Sequence, residues 1–177
     1  MPTKSDDPTA QTDVKLSDAD KKASNRMADM MELYHNSFRA EWNELYSACS
    51  PDHSRKVSAS QLIRLGQGLI SHLTMHHNIE EAHIFPILGQ RMPAFRSDAL
   101  TGPLQQHREI HAGMDKLGEY FNACKSGERS LRREEVKEIC DSFGTVLWAH
   151  LDDEVEQLGW ENMTKYWTKQ EILRMPM

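Results

Sequence analysis

Three pairs of ionisable residues repeat one spacing: His76/Glu80, His107/His111 and His150/Glu154 each stand four residues apart. Four residues is about one helical turn, so each pair projects from one face of a helix. Imidazole nitrogens and carboxylate oxygens together suit iron, zinc or manganese. The densest segment, "HLTMHHNIEEAHIFP" from His72 to Pro86, carries four histidines and two adjacent glutamates in fifteen residues. A further histidine, His35, lies in an earlier helical pattern. The chemistry on offer is metal ligation by side chains converging from several helices.

Those helices are legible in the pattern. Residues 1–16 are polar, include Pro2 and Pro8, and read as a disordered tail. From 17 to 177 no segment alternates with period two, and four segments carry helical periodicity. The first runs from about Ser17 to Ser47, before the loop "SACSPDHSRK". The second starts at Ser58, which has capping-box spacing to Gln61, and ends near Gly89. The third runs from about Leu100 to Cys124, with Pro103 in its first turn. The fourth runs from about Ser130 to Leu158, and "NMTKYWTKQEILR" offers a short C-terminal helix. Four long helices with short connections predict an all-α, up-down-up-down antiparallel four-helix bundle.

The apolar stripes of these helices are interrupted where leucine is expected. The second reads Leu62, Gly66, Leu69, Leu73, His76, Glu80, His83, Ile87. The third reads Leu100, Leu104, His107, His111, Met114, Leu117, Phe121, and the fourth Val136, Cys140, Phe143, Leu147, His150, Glu154. The first reads Met27, Met31, Tyr34 or His35, Phe38, Trp42, Leu45. A buried polar group without a partner costs roughly 2–7 kcal/mol. Several together would cancel a net stability of about 5–15 kcal/mol, so they must share partners. A tetrahedral zinc uses four ligands, so seven inward ligands fit two metal ions better. His77 and Glu81 fall about 100° further round the second helix and become alternative ligands only if that helix is rotated. His83 stands inward beyond Glu80, as a neighbour of the site, and His72 reads as partly exposed.

The order of these elements resembles the hemerythrin-like, or HHE cation-binding, domain: a lone histidine, then H-x-x-x-E, H-x-x-x-H and H-x-x-x-E. The segment "HHNIEEAHIFP" also looks like the family's second-helix motif, with a glutamate pair followed by an aromatic and a proline. The resemblance spans about residues 20 to 158 and implies two non-haem iron ions with an oxo or hydroxo bridge. It gives His107, His111 and His150 to one iron and His35 and His76 to the other, with Glu80 and Glu154 bridging. The second iron then has an open position, where family members bind dioxygen.

Some features depart from the invertebrate oxygen carriers. Glu154 stands at i+4 of His150, where the carriers have aspartate at i+5, and His72, His77 and His83 are additional. A ferritin-like bundle is the structural rival, through Glu32/His35 and Glu80/His83, but it leaves His107/His111 unexplained. His35 alone would read as an ordinary core histidine, and Met27, Met30, Met31, Trp42 and Trp148 as packing.

The bounds on function are broad. A net charge of −6 argues against nucleic-acid or anionic-membrane partners. No apolar run suits a membrane span, and the polar start shows no secretory signal. Cys49, Cys124 and Cys140 form neither a zinc pattern nor a disulfide framework, so an intracellular location is expected. The expected function is binding of dioxygen or a related small ligand, for storage or sensing. The alternatives are a diiron oxidoreductase, activating dioxygen or handling peroxide or nitric oxide, and an iron- or zinc-handling protein; manganese also suits the donors.

Overall fold

A computed structural model describes residues 16–50 and 57–176. The expected tail lies outside these residues apart from Leu16, as does most of the first loop with His53. Among the described residues the fold is all-helical, with no strand. The order is α1 (Asp18–Ser24), α2 (Arg26–Ala48), α3 (Ala59–Ile79), a π-helical turn (Glu80–Ile84), α4 (Phe85–Leu88), a 3₁₀ turn (Pro93–Phe95), α5 (Pro103–Ser126), α6 (Arg133–Leu158), α7 (Trp160–Met163) and α8 (Lys169–Ile172). The long helices α2, α3, α5 and α6 form a bundle in which α2 and α5 each pack against both α3 and α6.

Local chemistry sets the boundaries. Ser58 and Gln61 form the capping box that their spacing predicts. Pro103 occupies the first turn of α5, and Gly127 ends that helix in the left-handed region at φ 81°. The single first helix expected from periodicity is instead broken at Asn25. There the Asn25 side chain accepts a bond from the Trp160 N–H at 2.9 Å, tying the break to the start of α7. Leu100, expected on an inward face, precedes α5 and is exposed.

Glycine sets how closely the helices approach. A Cβ on Gly66 would stand 2.1 Å from the Phe121 ring, and one on Gly113 would stand 2.3 Å from the Phe143 ring. The two aromatics therefore fill space that any side chain at Gly66 or Gly113 would occupy.

The apolar interior has two parts. One, built around Trp42, Leu45, Leu62, Leu69, Leu73, Leu117, Phe121 and Phe143, fills the middle and one end of the bundle. The other joins Met27, Met31, Phe85, Leu88, Phe95 and Leu158 to Met163, Trp167 and Ile172 from the C-terminal segment. That segment forms two short helices rather than one, and Arg26 fastens it by donating to the carbonyls of Ile172 and Met175, each at 3.1 Å.

The π turn decides what lies beyond Glu80. The Phe85 N–H donates to the Glu80 carbonyl, five residues back. Pro86 supplies the reason: it has no N–H to return to Ala82, and its ring would press on that carbonyl in a regular α turn. The turn widens by one residue and the phase slips. Ile84, Phe85 and Leu88 are buried, whereas His83 is exposed. The expectation that His83 faces inward is therefore corrected.

Candidate metal centre

Seven polar or charged side chains are buried among the described residues, and six of them form one cluster: His35, His77, Glu80, His107, His150 and Glu154. His76 joins it with 11% of its side chain exposed. α2 supplies His35, α3 supplies His76 and His77, Glu80 opens the π turn, α5 supplies His107, and α6 supplies His150 and Glu154.

The donor atoms gather in two groups, each with all donors within 4.8 Å of one another. One is His77, Glu80, His107 and His150; the other is His35, His76, Glu80 and Glu154. Glu80 belongs to both. Its Oε1 is 2.9 Å from His76 Nε2, and its Oε2 is 3.4 Å from His107 Nε2. Glu154 Oε2 lies 3.5 Å from His35 Nε2 and 3.6 Å from His150 Nε2. Despite these approaches, neither oxygen of Glu80 or Glu154 has a hydrogen-bond donor, and His77 Nε2, His107 Nε2 and both nitrogens of His150 are also unpartnered. Buried polar atoms normally find partners, so a converging set of orphans calls for a shared one. A mixed nitrogen and carboxylate donor set of this kind fits iron, zinc or manganese ions.

The outward nitrogens of several rings are anchored. His35 Nδ1 donates to the Leu151 carbonyl at 2.8 Å, turning Nε2 toward the cluster. His107 Nδ1 donates to Glu81 Oε1 at 2.8 Å. Such outer bonds fix the tautomer of a ligating histidine. Glu81, an alternative ligand by sequence, is instead a half-exposed outer partner of His107. His72 pairs with Glu41 at 3.0 Å, on the surface.

Electrostatics keeps four of the imidazoles neutral. Burial, reinforced by the neighbouring rings, lowers His76, His107 and His150 each to about 3. His77 is pushed down further, first by burial and then by His107 and His150. Burial and the adjacent Glu154 carboxylate hold Glu80 well above the usual carboxylate range. Neutral imidazole is the form that ligates metal, and a cation among the carboxylates would reverse the penalty on Glu80.

Two expectations from periodicity change. His77 does not sit at the edge of α3: it is fully buried, while His76 is the partly exposed one. Leu73 precedes His76 by three residues and His77 by four, so both continue its stripe. α3 packs against both α2 and α5, so its buried arc is wide enough for two adjacent histidines. His76 meets His35 and Phe38 on α2, while His77 stacks on His107 of α5 with ring centroids 3.7 Å apart. His111 is half-buried, stands 3.3 Å from His77 Nδ1, and belongs to neither donor group. Of the seven residues singled out by stripe and resemblance, six therefore enter the two groups and His111 stays outside them.

A pocket of about 50 Å³ reaches the His76 side of the cluster, lined by Met27, Met30, Met31, Tyr34, Ile79 and Ile84 with His76 and Glu80. Nothing in the sequence pattern marked it, because methionine stripes read as packing. Met27 and Met31 do pack inside, but Met30 is partly exposed at the pocket.

The family model of the hemerythrin HHE cation-binding domain matches residues 26–159. Among curated proteins, the chain is 29% identical over 143 residues to the dimeric xanthone biosynthesis cluster protein R11 of Cryptosporiopsis sp. (strain 8999). That match covers 77% of this chain and 53% of the relative, so the chain spans about half the relative's length. No solved structure matches.

Proposed function

Because the chain belongs to the hemerythrin HHE cation-binding domain family, we propose that it is a non-haem diiron protein binding dioxygen, or a related small ligand, on the His35/His76 side of its polar cluster. The observation that carries this reading is the pair of four-donor groups sharing Glu80, in which all four oxygens of Glu80 and Glu154 are buried without a hydrogen-bond partner. Iron held there supplies one-electron redox chemistry toward small oxidants. The proposed fold is the up-down-up-down antiparallel bundle. In support, Arg39 pairs with Asp152 and, further along α2, Tyr46 pairs with the earlier Asp141.

The chain's own residues divide the work. Glu80 and Glu154 provide negative charge to hold cations in an apolar interior. His35 and His76 provide two nitrogens on the side that the methionine pocket reaches. Phe38, Leu73, Phe143 and Leu147, all buried, limit water around the cluster. A pocket of about 50 Å³ has room for a diatomic or triatomic ligand; for scale, a cavity needs about 10–15 Å³ to hold one water.

The second reading is a diiron oxidoreductase, favoured by the relative's name, which ties that protein to a biosynthesis cluster. A third, metal handling, needs only the donors. An acidic balance of −6 supports a small-molecule partner over nucleic acid or an anionic membrane. No helix among the described residues is long and apolar enough to cross a membrane. The unpaired cysteines support an intracellular setting.

The test is anaerobic loading with ferrous iron, elemental analysis, then exposure to air. Two ions per chain and a long-lived visible charge-transfer band support ligand binding. A band lost rapidly, and faster with an organic substrate, supports the enzyme. One ion per chain sinks the two-metal reading. A crystal structure with azide should find it beside His35 and His76.

A further inference from the structure

The HHE pattern draws its third imidazole on one side from the second histidine of the H-x-x-x-H pair, here His111. The geometry of this chain points elsewhere. We propose that His77 is the third nitrogen ligand beside His107 and His150, and that His111 is the outer residue that orients it. This rests on the two-metal reading above.

Four independent features carry the assignment. His77 is fully buried, whereas His111 is only half-buried. A His77 donor atom lies within 4.8 Å of those of Glu80, His107 and His150, and no His111 atom enters that group. The His77 ring lies close to both other imidazoles, its centroid 3.7 Å from His107 and 5.2 Å from His150. The two nitrogens of His77 are also differently engaged. Nε2 has no partner, while Nδ1 lies 3.3 Å from His111 Nε2. That division matches a ligating histidine: one nitrogen free for the metal, the other donating its N–H to an acceptor that fixes the ring. His107 shows the same arrangement, with Nε2 free and Nδ1 bonded to Glu81. With His77 Nε2 given to the metal, the ring's proton sits on Nδ1, and His111 Nε2, the atom that faces it, is the acceptor.

The consequence is a ligand set concentrated on one helix turn. His76 faces α2 and His77 faces α5, so adjacent residues of α3 serve opposite sides, with Glu80 one turn on serving both. A side chain other than histidine at position 77 would leave His107 and His150 without their neighbour on α3.

The experiment compares His77→Ala and His111→Ala, each loaded anaerobically with saturating ferrous iron, with metal content and circular dichroism as readouts. His77→Ala should retain about one ion, and added imidazole should restore the second. His111→Ala should hold two ions, with affinity weakened roughly tenfold, the low end for an outer partner. The reverse pattern, or equal loss in both, overturns the assignment. A wild type that takes up no second ion instead sinks the two-metal reading. If His77→Ala does not fold, a crystal structure of the iron-loaded wild type decides. Metal bonded to His77 Nε2 supports the assignment, and metal bonded to His111 overturns it.

Discussion

The two sides of the polar cluster are built from similar residues but differ in access. On the side of His35, His76 and Glu154, a pocket lined by methionines and Tyr34 reaches the donors, and His76 keeps some exposure. On the side of His77, His107 and His150 the rings pack against one another, and His111 and Glu81 stand outside them as props. One side borders a small pocket and the other is closed by packed rings. The pocket opens between α2 and the end of α3, whereas His77 stacks on His107 of α5.

The largest break expected in this contrast removes what the two sides share. Glu80→Ala should lower iron content from two ions to fewer than one per chain, because Glu80 stands in both donor groups. His35→Ala, touching one side only, should leave one ion. Elemental analysis after anaerobic loading measures both, and equal content in the two variants would remove the distinction between shared and one-sided ligands.

Acid should act on both sides together. His76, His107 and His150 titrate near 3 when folded, against about 6.5 in an unfolded chain. Below pH 6.5 the unfolded chain therefore takes up protons that the folded metal-free protein refuses, and stability falls toward pH 3. Glu80 has the opposite sign: its raised value makes its contribution shrink as pH rises above 4.5. Between pH 4.5 and 6.5 four lowered imidazoles, His77 among them, oppose one carboxylate, so acidification should destabilise. Thermal unfolding in chelator should show a midpoint several degrees lower at pH 5 than at pH 7. An unchanged or higher midpoint at pH 5 would contradict neutral buried imidazoles.

Glu81→Gln tests the closed side more gently. It weakens the acceptor that anchors His107 Nδ1, so iron affinity should fall about tenfold without loss of stoichiometry. Competition with a chelator reads the change, and an unaltered affinity would make that bond incidental. The smallest effect belongs to the open side. Met30→Phe narrows the pocket without touching a donor, so azide should associate a few-fold more slowly with iron content intact. Stopped-flow absorbance measures the rate; a faster or equal rate would mean that ligands enter by another path.

Much of this arrangement was written in the sequence. The four long helices, the Ser58–Gln61 cap and the inward histidines and glutamates all follow from period and spacing, because burying an apolar stripe forces interrupting polar residues to converge. Six of the seven residues singled out by stripe and resemblance enter the donor groups. His77, set by periodicity at the edge of the face and named only as an alternative ligand, is fully buried, and a signal for that was available: it continues the stripe through Leu73 at i+4 as well as His76 does at i+3. Periodicity gives a helix face, but neighbouring residues differ by only about 100°, less than the arc that two partners bury.

What the sequence by itself determined is the inventory: helices, their apolar faces, and ionisable residues at one-turn intervals on those faces. Tertiary structure decided the partners. It turned His77 toward His107 and left His111 outside the donor groups. It also left a gap among Met27, Met30 and Met31 that reaches His76. The physical reason is that spacing acts within one helix, whereas distances between donor atoms depend on how closely whole helices approach. Here that approach is set by contacts far along the chain, such as Gly66 against Phe121 and Gly113 against Phe143.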